Sequence, residues 1–227
     1  MICSTLLEKA ITLGVPPESI LFLRDGADLE GIQPLDRNAC RRELGFSTDS
    51  HFIGYVGAIF YRDAQLMAQA FDRIHERLPS VRLLLIGYVT FPIESIVSSP
   101  EAVISTGVVS HADMNRYLAA CDLCWLPFRD SGANRGRWPM KLNDYMSAGR
   151  PTVATSVGDV TQVMTEYEIG LLSQDTPESL AEAVITLLAD PERGATLGQN
   201  ARRVAQSAFD WRLRVAELET FYEKLLS

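Results

Sequence analysis

The sequence predicts an α/β fold built on a doubly wound parallel sheet. Short apolar, β-prone runs alternate with helical segments of roughly 10–15 residues, the pattern of consecutive strand–helix units. Three of those runs end at a glycine, in Val56-Gly57, Ile86-Gly87 and Thr106-Gly107. The chain has 227 residues, 47% of them hydrophobic, which is ample for one core. Ligands of such sheets bind outside the carboxyl ends of the strands. Gly57, Gly107 and the loop after Phe128 all fall at that edge.

The elements follow in order. Ser4 to Leu13 reads as a helix stopped by Gly14. Val15-Pro16-Pro17 is a turn, Ile20-Leu21-Phe22-Leu23 a strand, and Asp25-Gly26-Ala27-Asp28 a turn by composition. Phe52 to Gly57 is the first buried strand. A helix follows from about Asp63, with Leu66, Met67, Ala70, Phe71, Ile74 and Leu78 on one face. Val81 to Gly87 is the second strand and Val103 to Thr106 the third. Ser110 caps a helix, with Asp113 three residues later as in a capping box. Leu123 to Phe128 is the fourth strand. The loop Arg129 to Trp138 is expected to be mobile without ligand.

Pro139 fits the first position of a short helix, where its missing N–H costs nothing. Gly149 fits the position just past the end, where a left-handed residue closes it. Pro151 blocks continuation, and Thr152 to Thr155 is a buried strand. Val157-Gly158-Asp159 is a turn and Ile169 to Leu172 the last strand. Helices then start at Thr176 and Asp190, and Asp210 caps a final one. That last helix carries Trp211, Leu213, Val215, Leu218, Phe221, Tyr222 and Leu225.

Composition excludes several classes. No apolar run is long enough to span a bilayer, and the start runs straight into a helix without a secretory signal. A formal net charge of -8 leaves no basic stripe for nucleic acid. Cys121-x-x-Cys124 straddles a helix end and a buried strand with no second pair, so structural thiols in a reducing cytoplasm are expected. His51, His75 and His111 stand alone, without ligand or base spacing. No Gly-x-Gly-x-x-Gly follows the first strand, which disfavours a dinucleotide cofactor.

The start of the helix at Pro139 stands out. Trp138 precedes it and has no oxygen to cap the free N–H groups. Arg135, Arg137 and Lys141 crowd the same end, where cations are unfavourable unless an anion joins them. In an acidic chain this points to a bound phosphate. Asp144 lies three residues after Lys141, on the same face. A cation at phosphate with a carboxylate one turn deeper suits a nucleotide, because the carboxylate can accept both ribose hydroxyls. The same spacing fits a solvated surface pair worth about 0.3–0.5 kcal/mol.

The wording Pro-x-Lys-x-x-Asp-Tyr-Met-x-Ala-Gly-x-Pro-x-Val-Ala, Pro139 to Ala154, resembles a signature of the group 1 glycosyltransferases, the retaining GT-B enzymes. The Gly-Val-Pro and Asp-Gly-Ala-Asp turns of residues 14–28 resemble the hinge of the same family. The resemblance implies the C-terminal half of a GT-B fold, Rossmann-like and donor-binding. Residues 1–209 would form that domain, with 1–35 as its hinge-derived opening, and 210–227 the crossover helix. It assigns Asp144 to the donor ribose, Lys141 to the phosphates with Leu142 beside it, and Arg62 to the diphosphate. Gly57 would let backbone approach the donor, and Gly107, Val108 and Val109 would meet the base. Lys141 and Arg62 would stabilise the departing diphosphate, with no metal and no cofactor. The usual Glu at 144 is Asp here, the Glu expected at 136 is Gly136, and Ala58 replaces a polar contact.

The function implied is binding of a UDP- or GDP-linked hexose within a cytoplasmic hexosyltransferase whose acceptor half is missing here. The fragment alone would be inactive. Peripheral membrane association of the full enzyme and a homodimer through the exposed last helix are further expectations. Two alternatives stay open: a non-catalytic nucleotide-binding or scaffold remnant, and a GT-B nucleotide-sugar epimerase.

Overall fold

The computed structural model describes residues 1–226. Its strands are β1 (His51–Val56), β2 (Val81–Ile86), β3 (Val103–Ser105), β4 (Leu123–Leu126), β5 (Thr152–Thr155) and β6 (Gly170–Ser173). They form one sheet in the order β3-β2-β1-β4-β5-β6, and every neighbouring pair is parallel. The helices are α1 (Ser4–Thr12), α2 (Arg37–Glu43), α3 (Tyr61–Arg77), α4 (His111–Ala120), α5 (Gly132–Arg135) and α6 (Met140–Ser147). The series ends with α7 (Asp159–Tyr167), α8 (Pro177–Leu188), α9 (Pro191–Ala208) and α10 (Trp211–Leu226).

Both faces of the sheet are covered, which explains why its strands read as continuous apolar runs. Successive residues face opposite cores. Ile53, Leu83, Leu85, Trp125 and Val153 pack with α3 and α8. Phe52, Leu84, Ile86, Cys124, Leu126 and Ala154 pack with α4, α6, α7 and α9. Cys121 and Cys124 are free and buried. Gly54 has no side chain for a reason: a methyl there would lie 2.5 Å from Cys121 Sγ.

The strand order reverses between β1 and β4, so the topological switch point lies there. These two strands pair only through Ile53–Leu123 and Gly54–Cys124. Beyond that they diverge, and the Tyr145 side chain of α6 fills the gap. Its hydroxyl accepts from the Val56 N–H (3.1 Å) and donates to the Trp125 carbonyl (3.3 Å). Tyr145 is fully buried, and burial holds its phenol well above the usual tyrosine range. One hydroxyl thus bridges a backbone donor and a backbone acceptor that the diverging strands leave apart, and it fixes α6 against the carboxyl edge.

α6 ends as expected. The Gly149 N–H bonds the Met146 carbonyl and the Arg150 N–H the Tyr145 carbonyl, with Gly149 at φ 64. Its start differs by one position. Pro139 is the cap residue, with extended backbone, and its carbonyl accepts the Leu142 N–H. Ile20 to Leu23 is not a strand of the sheet. It runs extended beside the chain start, bonding Met1 at Leu21 and Leu23, too few contacts to build a ladder. α2 is not among the elements expected from the sequence, and Asp36 caps it through the Ala39 N–H. The stretch 129–138 holds the short helix α5 rather than an open loop. α10 has no buried residue, and Trp211, Leu213, Val215, Tyr222 and Leu225 are exposed. Among the described residues no helix is long and apolar enough to cross a membrane.

Tyr145→Phe removes the hydroxyl but keeps the ring. It leaves a buried N–H and a buried carbonyl without this partner, which costs about 1–3 kcal/mol. The expected result is a thermal midpoint lower by about 2–4 °C per kcal/mol. A variant melting with the parent would show that the hydroxyl does not brace the two strands.

Candidate functional site

Lys141 lies in the first turn of α6, whose start has no side-chain cap. Its side chain reaches the carboxyl end of β1. Nζ stands 3.7 Å from the Tyr55 ring centroid and donates to the Ala58 carbonyl at 3.0 Å. Both contacts belong to the carboxyl end of β1 and the turn after it. Lys141 is half-buried and has no carboxylate partner among the described residues. Burial, reinforced by the nearby Arg137 guanidinium, pulls its pKa down to about 7. The ammonium therefore waits for a negative group.

Asp144 is half-buried one turn further on, and its carboxylate makes no hydrogen bond among the described residues. Burial pushes its pKa up to about 6, the Asp28 carboxylate adds to the rise, and His111 and Lys141 oppose it. His111 does not stand alone, as sequence spacing had it. It opens α4, and its Nε2 lies 3.6 Å from Asp28 Oδ2. The partner comes from a turn 83 positions away, invisible to local spacing. Asp28 in turn accepts the Gly31 N–H at 2.8 Å. Asp144 is thus an under-partnered carboxylate beside an imidazole.

The other cations of the knot are already partnered. Arg135 forms a two-toothed pair with Asp130. Arg137 lies on the Phe128 ring, 4.2 Å from its centroid, and 3.5 Å from Asp63 Oδ2. Asp63, 2% exposed in the first turn of α3, is the hub of this region. It also accepts the Arg129 N–H (2.8 Å) and the Asn134 amide (3.0 Å). The loop expected to be mobile is tied into this network. Arg62 is exposed and makes no hydrogen bond or ion pair among the described residues. It lines a cavity of about 740 Å³ with Tyr61, Arg129, Ser131, Asn134 and Asp175. Of the arginines, Arg137 rather than Arg62 couples to Lys141.

The remaining candidates line the carboxyl edge. Gly57 follows β1 at φ 71 and Gly107 follows β3 at φ 66; a methyl on either would meet nothing within 4 Å. Gly87 joins them, bridging to Gly107 and standing against Gly57. Three left-handed glycines thus make a bare shelf at the ends of β1, β2 and β3. Val108 is 82% exposed at its rim. Leu142 differs: its side chain is fully buried and its N–H is held by Pro139. The contacts run without a break from Lys141 through Ala58 and Gly57 to Gly87 and Gly107. Sequence reasoning missed Asp63, Asn134, Tyr55 and the His111–Asp28 pair. For Asp63 and His111 a signal existed, since both sit in the first turn of a helix facing this edge.

A family model described as "Glycosyl transferases group 1" matches residues 50–190. The chain belongs to the group 1 glycosyl transferases. Among curated relatives, the D-inositol 3-phosphate glycosyltransferase of Kribbella flavida is 27% identical over 90% of this chain and 51% of its own length. A GDP-mannose-dependent mannosyltransferase of Corynebacterium glutamicum is 25% identical over 84% of the chain and 52% of its length. The chain spans about half the length of the curated relatives it matches. Among solved structures, sucrose-phosphate synthase of Thermosynechococcus elongatus superposes with a TM-score of 0.78 at 21% identity, over 99% of this chain and 57% of that one. Anabaena HepE, solved with UDP and glucose, gives 0.75 at 21%, over 98% and 61%. The C-terminal domain of a group 1 protein from Francisella tularensis gives 0.67 at 16%, over 82% of this chain and 99% of that one. These likenesses show the fold, the Rossmann-like α/β half of GT-B glycosyltransferases.

In this group 1 chain the lowered pKa of Lys141 can be tested without ligand. The sequence has three lysines, Lys9, Lys141 and Lys224. Brief acetylation over a pH series, read by peptide mass spectrometry, is expected to show Lys141 reaching half its limiting rate near pH 7. A midpoint near 10 would show that Nζ is solvated and the site open.

Proposed function

We propose that this chain holds the donor of a retaining hexosyltransferase, a hexose linked to UDP or GDP. The observation that supports it most is the position of Lys141, a half-buried ammonium without a counter-ion, bonded to the Ala58 carbonyl beyond β1. Asp144 follows one turn deeper with both oxygens unengaged. A diphosphate beside Lys141 and a ribose diol on Asp144 would satisfy both groups at once. The glycine shelf at 57, 87 and 107 leaves room for backbone to meet the base, with Val108 at its rim.

Charge on the departing diphosphate is the main electrostatic demand of sugar transfer. Lys141 meets it at short range in a partly desolvated setting, aided by the uncapped start of α6. Arg62, at the open cavity, reaches the outer phosphate or the sugar. Relatives with sugar-transfer names and a neighbour solved with UDP and glucose support this class of donor. The acceptor site belongs to a second GT-B half, so the chain alone binds donor without transferring sugar. The remnant reading rests on Ala58 and Gly136, which remove two side chains the family uses.

Calorimetry with UDP, GDP and ADP separates the readings. Binding of at least one nucleotide is expected. Asp144→Ala and Lys141→Ala should each weaken it about tenfold to hundredfold, the range for a hydrogen bond to a charged group. No binding to any of the three favours the remnant. The pH dependence has a definite sign. Above pH 7 the free Lys141 is largely neutral and must gain a proton to meet phosphate. Below pH 6 Asp144 must lose one to charge. Affinity for UDP-glucose or GDP-mannose is therefore expected to be greatest between about 6 and 7. A flat profile from pH 5 to 9 would contradict these roles.

A further inference from the structure

A second cavity, of about 680 Å³, opens at the opposite edge of the sheet. His51 begins β1 there, Asp122 immediately precedes β4, and Arg150 joins α6 to β5. The length of β1 separates it from the Lys141 site by about 17 Å, at roughly 3.3 Å per residue. Its lining sets two arginines, Arg37 and Arg150, beside two carboxylates, Asp36 and Asp122. Asp122 Oδ1 accepts from Arg37 at 2.6 Å, and Oδ2 accepts from Arg41 and from the Phe52 N–H, each at 2.7 Å. His51 Nδ1 stands 3.6 Å from the same oxygen. Asp36, the other carboxylate on the wall, spends Oδ1 capping α2. Asp122 is thus saturated.

Arg150 has no carboxylate of its own. Its Nη1 and Nη2 donate to the Cys121 and Leu35 carbonyls at 3.2 and 3.1 Å, and its buried Nε has no partner. Burial draws its pKa below the usual arginine value, and Arg37 adds to that. Asp122 acts on it only through space, and a largely buried guanidinium whose hydrogen bonds all go to carbonyls is costly, so an anion in direct contact would relieve it. Arg37 spends one donor on Asp122 and is half-exposed, so the rest of its fork can face the cavity. Both arginines present the planar fork that suits phosphate. Around them, Asn38 and Gln199 offer amides, and Leu187 and Leu188 an apolar wall. The volume lies within the range of small-molecule pockets, about 300–1,000 Å³.

We propose that this amino-edge cavity is a second ligand site for a small phosphate monoester. The phosphate lies between Arg150 and Arg37, and the organic body against Leu187 and Leu188. The site does not depend on the donor reading. The test is an amide NMR titration of the chain with inorganic phosphate and, separately, glycerol 3-phosphate. Saturable shifts are expected at His51, Gly149 and Arg150, with the ester binding more tightly than phosphate. Lys141→Ala should leave these shifts and their midpoint unchanged, which distinguishes this site from the carboxyl edge. Arg150→Gln and Arg37→Gln should each raise the midpoint at least tenfold. Arg37 lies on the surface, so its variant keeps the test alive should Arg150→Gln fail to fold. Absence of saturable shifts at these amides, an ester no tighter than phosphate, or parental binding by Arg37→Gln would each overturn the proposal.

Discussion

The Tyr145 hydroxyl is the contact on which the arrangement of this molecule turns. A doubly wound sheet must open where its strand order reverses, and the opening exposes backbone groups that a buried setting cannot leave unpaired. Here the Val56 N–H and the Trp125 carbonyl are those groups, and one phenol serves both. Because Tyr145 belongs to α6, satisfying the sheet also sets the position of that helix. Lys141, one turn earlier, is carried over the end of β1, and Asp144 is left beside the turn that holds Asp28 and the start of α4. The structural and chemical faces of α6 are therefore positioned by the same bond.

Burial gives the two charged groups their character. Lys141 and Asp144 share a helix face but form no ion pair, and each is driven toward its neutral form by the apolar surroundings. Asp63 and Asp144 act on Lys141 only through space, and Asp63 is already engaged. It holds Arg137, the Arg129 N–H and Asn134, and so shapes the loop after β4. The two edges of the sheet thus share a theme. At the carboxyl edge a lysine, and at the amino edge Arg150, are kept from water without a carboxylate in ion-pair contact among the described residues.

The strands were legible because both sheet faces are covered, so each strand is a run of apolar residues closed by a glycine or a turn. Ile20 to Leu23 has the same composition yet no ladder. Composition reports a wish to be buried, not which backbone lies alongside. The helix stop at Gly149 is legible because only local geometry is involved; the start lies one residue later because the Pro139 backbone is extended rather than helical. Arg62 and Arg137 are both arginines near a helix start, and nothing local distinguishes them. Phe128 and Asp63 do, by stacking under and pairing with Arg137 alone. His111 looks isolated in the sequence because its partner, Asp28, lies far back in the chain.

The sequence by itself determined the α/β order of elements, the closing glycines and the motif from Pro139 to Ala154 that marks a group 1 glycosyl transferase. Those are local properties of backbone and side chain. Only the tertiary structure decided which cations have counter-ions, which carboxylates are saturated and where water is excluded. Charge balance and desolvation are sums over neighbours brought together from distant parts of the chain, and no window of sequence contains them.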